Sequence, residues 1–322
     1  MMSNRVGEAR PSGVLVVDKP RGPSSHDVVA RVRRLLATRE VGHAGTLDPM
    51  ATGVLVVAVG EATKLAAYLT SQDKEYEATV SLGVATDTLD ADGAETGRAD
   101  VPPEVLSELS IGALGGPWID RALAAEWART EQIPPAFSAI QQGGERAYAK
   151  ARRGEVPALM ARAVGVRSLA LVSGAAEPPS LTIRLAVTKG YYVRAFARDL
   201  ATALGTLGHL TSLRRLRSGS FGAAEALVLD APPASLISRL IPLAEAAARA
   251  LPVLRLSADA ATDARHGRAI ALPSQTPEDR APHAWLDADG RLVAVGQVDA
   301  DGRAKVLRGF RDDGAFASPL PV

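Results

Sequence analysis

The chain has no cysteine, which excludes disulfides and thiolate metal sites. That absence fits a reducing cytoplasm. Its five histidines, His26, His43, His209, His266 and His283, are scattered, and none is paired at metal-ligand spacing. No metal is therefore expected. No apolar run approaches the roughly 20 residues of a membrane span, so no membrane association is expected. The first residues lack the apolar stretch of a secretory signal and read as a short disordered tail over 1–12. Net charge is almost missing as well, at +1, which is unlike a nucleic-acid binder. The total conceals an uneven distribution. Residues 71–120 hold 2 basic and 11 acidic groups, whereas residues 141–220 hold 13 basic and 4 acidic groups. The basic stretch forms a phosphate-tracking face if it folds together. If the two stretches interleave, their fields cancel.

What is present supports a real core. The 322 residues are 47% hydrophobic, enough for one large domain or two smaller ones. Residues 42–53 read Gly-His-Ala-Gly-Thr-Leu-Asp-Pro-Met-Ala-Thr-Gly. Three glycines and a proline in that run forbid a regular helix or an interior strand, so it must be a shaped loop. Pro49 pushes Asp48 towards extended backbone. Asp48 is the only carboxylate of the loop, and no Lys or Arg lies within it. The residues alone allow a solvated turn. A phosphate cradle would need a Gly-Lys-Ser/Thr ending that the loop lacks.

Two near-identical apolar runs flank this loop, Gly13-Val-Leu-Val-Val17 and Gly53-Val-Leu-Val-Val57. Each reads as a buried strand, and the two can lie side by side in one sheet. Ser24 and Asp27 form a capping-box-like start for a helix with Val28, Val29, Val32, Leu35 and Leu36 inward. Residues 61–69 read as a short helix. Over 74–82, alternation places Tyr76, Ala78, Val80 and Leu82 on one face of a strand. Residues 86–93 read as a turn whose spacing does not match a calcium loop. Small residues and proline predict a loop over 173–180. Residues 181–187 read as a strand and 194–204 as a helix ended near Gly205. Residues 231–251 carry a helical stripe. Beyond Pro252 the pattern is β: strands over 292–298 and 303–307 around a turn at 299–302, with Gly267 in a separate turn.

The 42–53 string closely resembles the motif around the catalytic aspartate of the TruB family of tRNA pseudouridine synthases. The resemblance continues in Asp18-Lys19-Pro20, in Lys74-Glu75-Tyr76, and in Thr86-Asp87-Thr88-Leu89-Asp90. It resumes in Glu131 to Ala139, in Lys189-Gly190-Tyr191-Tyr192-Val193-Arg194 and in Leu213-Arg214-Arg215. Tyr191 stands where the family usually has Thr, and Gln141 where it usually has Lys. The resemblance implies an α+β fold: a mixed, mainly antiparallel sheet core flanked by helices, with a small, mostly β, PUA-like C-terminal domain. It implies a catalytic domain over 13–250, a thumb insertion near 131–155 that closes over RNA, and an RNA-binding domain over 251–322. Arg146, Lys150, Arg152 and Arg153, interleaved with Tyr148, suit an RNA backbone, and equally a charged helix face.

The implied chemistry is isomerisation of uridine to pseudouridine in the TΨC loop of tRNA, at position 55, without cofactor. Asp48 becomes the nucleophile. Arg194 lies between Asp48 and Asp90, keeping Asp48 ionised and oriented. Tyr76 stacks on the base and acts as general base, Tyr192 lines the pocket, and Leu213 walls it. His43 supports the everted state, and Lys19 buttresses the loop. The implied partner is the TΨC stem-loop of tRNA, bound by a monomer with no protein partner. A tRNA-folding chaperone without chemistry, or a synthase acting on another uridine, are the competing expectations.

Overall fold

Strands that are apolar at every position must be covered on both faces, and the central strands of this protein are. The computed structural model describes residues 11–111, 115–138, 141–142, 145–146, 153, 155, 159–230, 232–268, 270, 281–298 and 303–311. Strand β1 is Gly13–Lys19, β2 is Val41–Ala44, and β3 is Thr52–Val59. β1 and β3 pair antiparallel, with Val14 opposite Ala58 and Val17 opposite Leu55. Leu15, Val17, Leu55 and Val57 enter one hydrophobic cluster; Val14, Val16, Val54 and Val56 enter another on the opposite face.

The sheet continues through β4 (Lys74–Leu82), β5 (Val166–Ala176), β6 (Pro179–Val187) and β7 (Gly208–Ser218), in the order β1-β3-β7-β4-β6-β5. β2 and the short strand Phe221–Gly222 attach to β3 and β7, giving eight strands. Only β7 and β3 run parallel, at Arg214 opposite Thr52 and Arg215 opposite Gly53. This is the mixed, mainly antiparallel sheet that the resemblance implies. The alternation over 74–82 holds at every residue, with Tyr76, Ala78, Val80 and Leu82 buried.

Helix α1 (Ser25–Leu35) opens with the full capping box: Asp27 N–H donates to Ser24 Oγ, and Ser24 N–H to Asp27 Oδ2. Pro103 and Pro117 stand in the first turns of α2 (Pro103–Ser110) and α3 (Pro117–Trp127), where a missing N–H costs nothing. Helix α4 (Val193–Ala203) is the most amphipathic and lies against β7. Its stripe of Phe196, Ala197, Leu200 and Ala201 is buried in the first cluster.

The short helix expected over 61–69 is present, as a 3₁₀ helix over Gly60–Leu65 followed by an α-helix over Ala66–Thr70. Two expectations need correction. Residues 42–44 lie in β2 and residues 52–53 in β3, because pairing with neighbouring strands overrides the glycines, so the loop expected over 42–53 is confined to 45–51. The loop expected over 173–180 is the end of a hairpin, with Gly174 opposite Leu181 and Ala176 opposite Pro179. Its small residues serve packing, because a Cβ on Gly174 would press on Leu109 of α2 at 2.7 Å. Of the tail expected over 1–12, residues 1–10 lie outside the described residues, whereas Ser12 is buried and accepts Glu61 N–H at 3.2 Å. The turn at 299–302, and Tyr148, Lys150 and Arg152, lie outside the described residues.

The charge question is answered by strand order. Acidic β4 sits between β6 and β7, and its carboxylates meet their arginines: Glu77 with Arg184 at 3.1 Å and Glu75 with Arg217 at 3.3 Å. Asp73 pairs with Arg167 at 3.1 Å. The two stretches therefore interleave, and much of the basic excess is neutralised on this face.

Helix α5 (Leu243–Ala250) leads to a second, four-stranded sheet of β8 (Val253–Arg255), β9 (His283–Leu286), β10 (Leu292–Val298) and β11 (Ala304–Gly309), with helix α6 (Ala258–Arg265) against it. Its Ala284, Leu286, Leu292 and Val295 share one cluster with Val14, Val16, Val54 and Val56 of the large sheet. Trp285, 1% exposed, faces the other way and packs on α6 residues. Gly296 makes room for that indole, since a Cβ there would overlap the six-membered ring. Gly296→Ala is expected to destabilise the protein by roughly 1–3 kcal/mol through overpacking. Gly309, with nothing near its added Cβ, serves as a control: Gly309→Ala should stay within about 0.5 kcal/mol. Urea unfolding of both variants checks the pair.

Candidate active site

The loop between β2 and β3 is fastened almost atom by atom through its backbone. Ser25 Oγ receives Leu47 N–H at 2.8 Å and donates to Leu47 O at 3.0 Å. Lys19, fully buried, donates to Pro20 O at 2.9 Å, Pro23 O at 2.8 Å and Pro49 O at 3.3 Å. Gly22 N–H adds a second bond to Pro49 O at 2.9 Å. Burial pushes the Lys19 amine down to about 8, while nearby Asp48 pulls it up.

Arg215, 1% exposed, reaches the loop from β7. It donates to Val54 O at 2.6 Å, Gly45 O at 3.1 Å and Thr46 O at 3.5 Å, so its bonds straddle Asp48 in sequence. Gly53 sits at φ +96°, where an added Cβ would overlap the Arg215 carbonyl. Only glycine lets β3 leave the loop this close to β7.

So held, Asp48 presents a carboxylate that is about one-third exposed. Arg194, near the start of α4, meets it with two nitrogens: Nε to Oδ2 at 2.8 Å and Nη2 to Oδ1 at 3.3 Å. The same Nε lies 3.7 Å from Asp90 Oδ2. Asp90 is buried and accepts from Thr88 Oγ1 at 2.6 Å and Asp92 N–H at 3.2 Å. Arg194 also donates to Thr88 O and to Phe137 O, each at 2.9 Å. The structure thus brings together Asp48, Arg194 and Asp90. One of these carboxylates is open to solvent and the other is closed.

Of the remaining expected site residues, Tyr192 feels the charges of Asp48 and Arg194, and the others are placed by the elements that carry them. Tyr192 immediately precedes α4, and burial together with Asp48 raises its phenol, against Arg162 and Arg194. Tyr76 is buried on β4, opposite Leu185 on one side and Arg215 on the other. Leu213 is buried on β7 opposite Ala78. His43 lies on β2 and meets His26 edge to face at 5.3 Å. Its Nδ1 is buried without a hydrogen-bond partner, and burial followed by His26 and Arg215 keeps its pKa below the usual range. Tyr191 points neither outward nor freely into solvent: it is 8% exposed and joins the main core cluster. Among the described residues no group of His, Asp and Glu could hold a metal ion.

Sequence reasoning passed over Ser25 and the role of Arg215. The signal for Arg215 was its place in the Leu-Arg-Arg string; nothing in that string showed that its guanidinium turns inward. Lys19→Met would strand the Pro20 and Pro23 carbonyls and leave Pro49 O with Gly22 N–H alone. It is expected to cost about 2–4 kcal/mol, read as a lower urea midpoint.

Comparison with known proteins shows the family. Residues 33–193 match the family model described as TruB family pseudouridylate synthase (N terminal domain), and residues 251–311 match tRNA Pseudouridine synthase II, C terminal. The chain is 44% identical over 292 residues to tRNA pseudouridine synthase B of Thermobifida fusca, covering 88% of this chain and 94% of that one. It is 41% identical over 307 residues to the protein of that name from Leifsonia xyli, covering 94% and 97%. A chain of the crystal structure of a Cbf5-Nop10-Gar1 complex superposes with a TM-score of 0.71 at 23% identity, covering 97% of this chain and 88% of that one. That likeness shows the same fold. Full-length relatives at this identity, with both halves matched by family models, place the chain in the TruB family of tRNA pseudouridine synthases, isomerases that act on uridine in tRNA.

Proposed function

We propose that the chain converts uridine 55 in the TΨC loop of tRNA to pseudouridine, with Asp48 as the nucleophile. The observation that carries this reading is the two-point contact of Arg194 with a partly open Asp48. A two-point guanidinium contact fixes where the carboxylate's lone pairs point. The reaction breaks the bond from uracil N1 to the sugar, turns the base, and joins C5 to the same sugar carbon. The C5 proton then leaves to a base, and N1, freed from the sugar, takes up a proton. Atoms are conserved and no redox step is required. The carboxylate attacks the sugar, attacks the base, or takes part in loss of the C2′ proton. Each route needs the same ionised acid beside the nucleotide.

In this reading Tyr76 stacks on the uracil and takes the C5 proton. Tyr192 and Leu213 line the pocket, Asp90 steadies Arg194, and Lys19 holds the floor of the loop. His43 stands on the approach to the loop, suited to fill the space that an everted base leaves. Eversion costs a few kcal/mol of unstacking, offset by phosphate contacts. Residues 13–250 form the catalytic domain with the insert near 131–155, and residues 251–322 extend the RNA surface through exposed Lys305 and Arg308. The enzyme acts on tRNA as a cytoplasmic monomer. No described helix is long and apolar enough to cross a membrane.

An unmodified tRNA transcript, mapped chemically for pseudouridine at nucleotide resolution, tests the reading. Wild-type protein is expected to modify position 55, and modification elsewhere alone would refute that site. Asp48→Asn should keep tRNA affinity and lose at least about 10³-fold in single-turnover rate. Arg194→Lys keeps the charge but not the fork; a loss of roughly 10–100-fold is expected from the misdirected carboxylate.

A further inference from the structure

The helix that carries Arg194 begins without help from its own sequence. Tyr192 occupies the N-cap, in extended backbone at φ −107° and ψ 109°, and no side chain caps the helix locally. The missing support comes from sixty residues away. Gln132 is 2% exposed, and its carboxamide engages both backbone groups of Tyr192. Nε2 donates to Tyr192 O at 3.1 Å, and Tyr192 N–H donates to Oε1 at 2.8 Å. One side chain thereby imitates the edge of a neighbouring strand. Tyr192 O also receives the first helical bond, from Phe196 N–H at 3.0 Å.

Gln132 is itself well anchored. The short strand Glu131–Gln132 pairs with Arg162–Ala163, and Val164 N–H donates to Thr130 O at 2.9 Å. Five residues further on, Phe137 O accepts from Arg194 Nη2 at 2.9 Å. Between these points Arg198, one turn along the same helix, donates to Ile133 O at 3.1 Å. The segment 132–137 is therefore sewn to the start of α4 at three places. Pro134 and Pro135 limit the backbone freedom between them. The contact that orients the Asp48 carboxylate is the far end of this seam.

We infer that Gln132 is a positioning residue for the isomerisation: it fixes Tyr192, and through the helix start that follows, the direction in which Arg194 holds Asp48. The inference rests on the reading of Asp48 and Arg194 given above. Gln132 touches neither of them. Its effect is geometric, and a misplacement of about 1 Å at a reacting group costs on the order of 10²-fold in rate.

The test compares Gln132→Leu and Gln132→Glu with wild type and with Asp48→Asn. Single-turnover rates are measured at saturating unmodified tRNA, and tRNA affinity is measured separately. Gln132→Leu removes both bonds to Tyr192. It is expected to lower the rate roughly 10–100-fold while affinity changes less than about threefold. Gln132→Glu adds a signature that plain destabilisation lacks. An ionised carboxylate accepts only and opposes Tyr192 O, whereas a protonated carboxyl offers one donor and one acceptor, as the amide does. Burial raises the pKa of such a group. The rate of Gln132→Glu relative to wild type is therefore expected to climb as pH falls from about 8 to about 5.5. A Gln132→Leu rate within twofold of wild type overturns the inference, as does a loss confined to affinity. If Gln132→Leu does not fold, a flat Gln132→Glu ratio across that pH range overturns it alone. Turnover by Asp48→Asn would instead overturn the active-site reading. An inert Asp48→Asn beside an unimpaired Gln132→Leu rejects only the role of Gln132.

Discussion

One nearly buried guanidinium joins four distant parts of the chain. Arg194 carries five N–H donors in a rigid fork. It directs them to Asp48, to the Thr88 carbonyl and to the Phe137 carbonyl, with Asp90 beside it. The loop between β2 and β3, the turn after β4, the segment before β5 and helix α4 meet at that group. A lysine would carry the same charge with no fixed plane and could not hold these directions at once. The fold around it can be understood as the means of bringing the four segments within reach of one side chain.

The acid itself is placed by a different device. Lys19 and Arg215 are cations with no directly bonded carboxylate among the described residues, and their donors go to backbone carbonyls of the loop and its surroundings. Carbonyls satisfy the donors without cancelling the charge. Positive charge therefore remains under the loop, near the Asp48 carboxylate. Shape and electrostatics come from the same bonds. Arg214, next to Arg215, does the opposite: it forms a two-point ion pair with Asp18 at 2.8 and 3.0 Å, ahead of Lys19.

How far the sequence could be read depended on the range of each interaction. The Asp48 loop was legible over 45–51 because glycine and proline impose local geometry. The capping box at Ser24 and the alternation from Lys74 to Leu82 were legible for the same reason. The meeting of Arg194 with Asp48 was not visible in any local pattern and came only through resemblance. Arg215 sits in an exposed-looking basic string, and only the pairing of β7 with β3 turns it inward. Gln132 is a neutral residue whose partner is sixty positions away, so no local signal marked it. The charge stretches were counted correctly, but their cancellation required knowing that β4 lies between β6 and β7. The hairpin over 173–180 was missed because small residues that admit α2 look like residues that fill a loop.

The hydrophobic cluster behind β1 and β3 has a mechanical consequence. Domains joined by polar contacts swing freely, but those that share apolar surface do not. Ala284, Leu286, Leu292, Val295 and Phe310 close the same cluster as Val14, Val16, Val54 and Val56. The Arg311 N–H bond to Glu61 at 2.9 Å and the Lys64 bond to Gly309 O at 3.1 Å clamp its rim. Tilting the C-terminal sheet would wet both sides, at about 25 cal/mol for each Å² uncovered. The small sheet is therefore braced by apolar contact on the same two strands, β1 and β3, that hold the Asp48 loop.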